Sequence, residues 1–92
     1  MTKTASIVEQ RREDRKRTDG EVWISVEGAG AVTFAGRLID SSKSGFRASH
    51  QHSVLAAGQQ VSFRHSFGEG RAVVMWNRIV EHGVQSGFLI LD

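Results

Sequence analysis

From Glu21 onward the apolar residues of this chain alternate with a period of two. Val22, Ile24 and Val26 fall on one face of an extended segment, and Trp23 and Ser25 fall on the other. Successive side chains of a strand point to opposite faces, so this pattern predicts a half-buried strand. The pattern recurs. Val32 to Ile39 predicts a second strand with Val32, Phe34 and Leu38 on one side, and Phe46 and Ala48 open a short third. Gln59 to Phe67 predicts a fourth, where Val61, Phe63 and Phe67 alternate with Ser62, Arg64 and Ser66. Arg71 to Val80 is the longest and is apolar on both sides, which predicts a central position; Gly87 to Leu91 closes the series. The connections are Gly28-Ala29-Gly30, Asp40 to Gly45, a loop from His50 to Gly58, Gly68-Glu69-Gly70, and Gly83 to Ser86. Gly36, inside the second strand, predicts a bulge or bend there. Six strands joined by short glycine-bearing turns predict an all-β antiparallel barrel or sandwich.

The segment before Glu21 is different. Residues 11–20 have no apolar face, and five of the twelve Lys and Arg residues fall between positions 11 and 17. This divides the chain into an arm, residues 1–20, and one β-domain, residues 21–92; Ala5 to Arg12 has the makings of a short helix that is marginal alone. With 92 residues there is room for one core. No apolar run approaches the roughly twenty residues of a spanning helix, and Met1 to Glu9 lacks a signal-peptide core. There is no cysteine. The expectation is a soluble, intracellular, cytoplasmic protein with no membrane insertion. The formal net charge is only +2, and Glu13 and Asp14 dilute the basic run, so a DNA-binding tail is a poor fit.

Two clusters carry chemistry. Arg11 and Arg15 are four apart and share one side of a helical turn or tight loop. Guanidinium forks match phosphate oxygens and the O6/N7 edge of guanine. Asp40-Ser41-Ser42-Lys43-Ser44-Gly45 follows a strand: Asp40 is an acceptor for guanine N–H donors, Ser42 a donor to phosphate, and Gly45 allows close backbone approach. Taken singly, a solvated charge run and a polar strand connector explain both. His50 and His52 share a strand face, but no Asp, Glu or Cys near them completes a metal set. No phosphate-loop lysine or dinucleotide-binding glycine pattern is present, and no catalytic residues are assigned.

Together the two clusters resemble the signatures of the PilZ domain family, the bacterial receptors for cyclic di-GMP. The family carries Arg-x-x-x-Arg before the first strand and Asp/Asn-x-Ser-x-x-Gly between two early strands. This chain has Arg11-Arg12-Glu13-Asp14-Arg15 and, about twenty-five residues later, Asp40 to Gly45. The run Ala72-Val73-Val74-Met75-Trp76-Asn77-Arg78 and the closing Gly87-Phe88-Leu89-Ile90-Leu91-Asp92 are also similar, so the likeness covers about residues 10 to 92.

The resemblance implies a six-stranded antiparallel β-barrel of the split-barrel type, behind a flexible basic arm. Many members continue into a C-terminal helix; this chain ends at Asp92 without one. It implies cyclic di-GMP as ligand, with no further cofactor. Arg11 and Arg15 are implied to contact phosphates and guanine edges, with Arg12 adding stacking or charge. Asp40 is implied to pair with guanine N–H groups, Ser42 to bind phosphate, and Gly45 to keep the turn tight. Trp76 is implied to stand near the ligand, and Gln10 occupies the neighbourhood that decides between one ligand and a stacked pair. Such receptors pass the signal to a protein partner: a flagellar motor, a polysaccharide synthase or pilus machinery. Two other readings compete: a nucleotide-independent interaction adaptor, like family members without the motifs, and a small RNA-binding barrel with aromatic and basic residues on one strand face.

Overall fold

The computed structural model describes residues 16–17, 20–28, 31–66 and 68–91. Seven strands cover them: β1 (Lys16–Arg17), β2 (Glu21–Val26), β3 (Val32–Ser41), β4 (Gly45–His50), β5 (Gln60–His65), β6 (Gly68–Val80) and β7 (Gly83–Leu91). Every pairing is antiparallel. Strands β2 to β7 run in the order β3-β2-β5-β6-β7-β4, and β4 returns to pair with β3. The result is a closed six-stranded barrel, the outcome the turn spacing allowed beside a sandwich. Closure gives each of the six strands a paired neighbour on both sides.

The inward positions of the alternating pattern form the core. Val22, Ile24, Leu38, Phe46, Ala48, Val61, Phe63, Ala72, Val74 and Phe88 are all buried, with Phe34 and Ile90 packed against them. Phe46 stacks on Phe88 at 4.6 Å between ring centres and tilts against Phe63 at 4.9 Å. The loop after β4 tucks Leu55 into the same core. Its Gly58 N–H donates to the Val74 carbonyl (2.7 Å), and the Leu55 carbonyl accepts from Asn77 Nδ2 (2.8 Å).

Several boundaries differ from the sequence expectation. Two of the glycine runs predicted as turns lie at least partly inside strands. Gly68, Glu69 and Gly70 pair with His65, Arg64 and Phe63, so the turn of this hairpin comes before Gly68. The Phe63 ring rests over Gly70, about 3.5 Å from where a Cβ would sit, which is an ordinary contact distance. Likewise Val80 pairs with Gly83, and the turn is Glu81-His82. Gly36 keeps a regular register with Val22. A Cβ there would come 2.8 Å from the Ser49 carbonyl, so close approach, and not a bulge, accounts for it. Strand β6 is not apolar on both sides through double burial. Ala72 and Val74 face the core, while Met75, Trp76 and Ile79 are exposed.

The register shifts fall elsewhere. In β3 the pairing passes from Leu38↔Ala48 to Asp40↔Arg47, leaving Ile39 extra. In β6 it passes from Val74↔Phe88 to Trp76↔Gly87, leaving Met75 extra. An extra residue reverses the facing of everything after it. Strict alternation from Leu38 and Val74 would point Asp40 and Trp76 inward; the two bulges turn both outward.

Candidate ligand site

The two bulges assemble a row across four strands on the outer face. Asp40 pairs with Arg47, Arg47 with Gly87, and Gly87 with Trp76. Gly87 has no side chain, and the Trp76 indole fills the gap: a Cβ on Gly87 would overlap its Nε1 and Cε2 atoms. The row therefore reads carboxylate, guanidinium, indole. A groove of about 180 Å³ runs beside it, lined by Ser44, Arg47, Met75, Trp76 and Leu89 among others. Met75, Trp76 and Leu89 are exposed apolar side chains, so this part of the barrel face is unusually hydrophobic.

Asp40 is buried, and its carboxylate is held by Arg47. The guanidinium Nε donates to Oδ1 and Oδ2 (3.1 and 3.0 Å), and Nη2 also donates to Oδ2. This fork lifts the Arg47 pKa above its ordinary value, against a smaller opposing effect of burial. Arg47 is the residue that the sequence reading missed. The available signal was its outward parity two residues after Gly45.

The turn is tighter than its six-residue signature. Asp40 and Ser41 still belong to β3, and Gly45 already belongs to β4. The Ser42 amide donates to the Gly45 carbonyl (2.8 Å), and the Ser42 hydroxyl makes a long contact with the same oxygen (3.4 Å). Positive φ is not what Gly45 supplies; it is absent from the residues in that region. A Cβ at Gly45 would run into the Phe88 carbonyl of β7, so this glycine lets two backbones meet.

Strand β1 brings the arm to this turn. Lys16 pairs with Ser41 and Arg17 with Asp40, and the Gly20 carbonyl accepts from Leu38 N–H (2.7 Å). Residues 16–17 and 20–26 thus follow one edge of β3. Gln10, Arg11, Arg12 and Arg15 lie outside the described residues. Of the remaining sequence candidates, Asp40, Ser42, Gly45 and Trp76 lie at one end of the barrel face.

The histidines do other work. His50 is buried, its Nδ1 accepts from the His52 amide (3.0 Å), and its Nε2 contacts Ser86 Oγ (2.7 Å). An accepting Nδ1 places the proton on Nε2, which donates to Ser86; Ser86 in turn donates to Asn77 Oδ1. A serine nucleophile needs the opposite polarity, with Nε2 as acceptor. The chain His50–Ser86–Asn77–Leu55 is therefore a cross-link between β4, β7, β6 and the loop. Burial, and secondarily His52, push the His50 pKa down to about 4. His52 stacks on Phe34 (4.7 Å). Among the described residues, no three His, Asp or Glu side chains converge as a metal site, and no helix is long and apolar enough to cross a membrane.

No protein-family model matches this chain. No curated protein sequence matches it either.

Proposed function

We propose that this protein is a cytoplasmic receptor for cyclic di-GMP that passes the second-messenger level to a protein partner through ordering of its N-terminal arm. The observation that carries the reading is the β1–β3 pairing. It ties the end of the basic arm to Asp40 and Ser41, the start of the Asp-x-Ser-x-x-Gly turn. The Arg-x-x-x-Arg cluster and the turn are distant in sequence but joined by one short strand. The exposed indole of Trp76 adds a flat apolar surface for a guanine base at the same end.

The energetics are workable. Fixing a backbone residue costs about 1–2 kcal/mol. Lys16 and Arg17 are already paired, so that cost falls only on residues upstream. A hydrogen bond to a charged group contributes roughly 1.5–3 kcal/mol. Several arginine–phosphate contacts are of the same order as the cost of ordering the arm; micromolar affinity corresponds to a net of about 8 kcal/mol. The docked arm presents a new surface to a partner in motility, polysaccharide or pilus control. Titration calorimetry with cyclic di-GMP tests this. Micromolar binding with at least a tenfold loss in Arg15→Ala is expected; a folded protein that ignores the nucleotide at near-millimolar concentration refutes it.

One observation favours a second reading. Met75, Trp76 and Leu89 form an exposed apolar strip. Such strips suit protein contacts. A nucleotide-independent adaptor would use that strip directly, and its binding to a partner would be insensitive to cyclic di-GMP.

A further inference from the structure

The Asp40–Arg47 fork is side-on. It uses Nε and one Nη2 proton. A guanidinium has five N–H donors in one plane. The end-on pair, on Nη1 and the outer side of Nη2, has no acceptor among the described residues. Arg47 is half-exposed, with 42% of its side chain accessible against 5% for Asp40. It shares the groove with Trp76, one strand beyond Gly87. The guanidinium is thus fixed in plane by a buried carboxylate, and its second fork is left over beside an indole.

We infer that Arg47 is a ligand arginine in its own right, positioned by Asp40, whose end-on fork reads the O6/N7 edge of a guanine seated on Trp76. This rests on the cyclic di-GMP reading and adds a contact on the barrel, separate from those of the arm. Paired parallel N–H donors match the two acceptors of that edge, whereas adenine offers a donor at the position of O6. The size agrees. Sites that enclose drug-sized ligands have roughly 300–1,000 Å³, so a groove of about 180 Å³ takes one base and leaves the rest of the dinucleotide to other groups. Asp40 then acts through Arg47. Its two oxygens already accept from that guanidinium, and its value to the ligand is the orientation that it imposes.

The test is a cycle between protein and ligand. Cyclic di-GMP and its 7-deaza-guanine analogue, which lacks N7, are titrated into the full chain, Arg47→Lys and Arg47→Gln, with circular dichroism as the fold control. Both substitutions keep a donor for Asp40. The wild type is expected to lose roughly tenfold in affinity for the analogue, and each variant roughly tenfold for cyclic di-GMP, with little further loss when the two changes are combined. Asp40→Asn, which keeps an oxygen but loosens the fork, is expected to weaken cyclic di-GMP and to narrow its advantage over cyclic di-AMP. Wild-type binding with unchanged affinity in the Arg47 variants, or losses that simply add, overturns the inference and leaves the receptor reading standing. No binding by the wild type overturns both.

Discussion

The indole of Trp76 lies across Gly87, in the space where any other residue would carry its Cβ. Gly87→Ala therefore evicts the ring and not the backbone, since the overlapping atoms are the far end of a side chain. The expected result is a folded barrel, less stable by about 1–3 kcal/mol, with a changed tryptophan emission and several-fold weaker cyclic di-GMP binding. Emission unchanged from the wild type would show that the ring does not occupy this seat.

Gly45 is the contrasting case. An added methyl meets the Phe88 carbonyl, a backbone atom that cannot swing aside. Gly45→Ala is expected to cost about 3 kcal/mol or more, at the upper end for overpacking. Gly70→Ala, whose methyl would make ordinary contact with the Phe63 ring at about 3.5 Å, is expected to stay within about 0.5 kcal/mol. Urea denaturation of the pair compares them directly.

The stability of the barrel is expected to fall in mild acid. His50 titrates near pH 4 in the folded chain against an ordinary 6.5. Between those values the unfolded chain binds a proton that the folded chain refuses, so acid favours unfolding. The stabilisation is complete above about pH 6.5 and declines as pH drops toward 4. The total is about 3 kcal/mol at 1.36 kcal/mol per pH unit of displacement. Denaturation midpoints between pH 7.5 and 4.5 report it, and His50→Gln should flatten the slope.

The Asp40–Arg47 pair should behave as a unit. Arg47→Met removes the guanidinium fork from a buried carboxylate. Because Arg47 is half-exposed, the cost should lie below the 3–5 kcal/mol of a fully buried pair, at about 2 kcal/mol. Adding Asp40→Asn should recover part of it, giving a coupling of at least about 1 kcal/mol. Simple additivity of the two losses would mean that the fork contributes nothing to folding.

Much of the barrel was legible in the sequence because a half-buried sheet writes its facing into alternate residues. Val22, Ile24 and Val26, and later Val61 and Phe63, are buried as their spacing predicts. The glycines misled. Gly68, Gly70 and Gly83 look like turn residues, yet each lies in a strand, and Gly83 faces a backbone carbonyl that approaches closely. The β6–β7 turn itself, Glu81-His82, contains no glycine. Of the candidate site, Asp40, Ser42, Gly45 and Trp76 are singled out by motifs in the sequence. Arg47 is not, because its role depends on a cross-strand partner seven residues back. The register that makes them neighbours is visible only after folding.

Ile39 and Met75 contribute little to the core, yet each decides the facing of the residue that follows. Losing the single codon for Met75 would restore plain alternation and send the indole into the barrel wall. Losing that for Ile39 would do the same to the carboxylate. A barrel built this way can gain or shed its recognition face by single insertions and deletions, while its six strands stay in the same order.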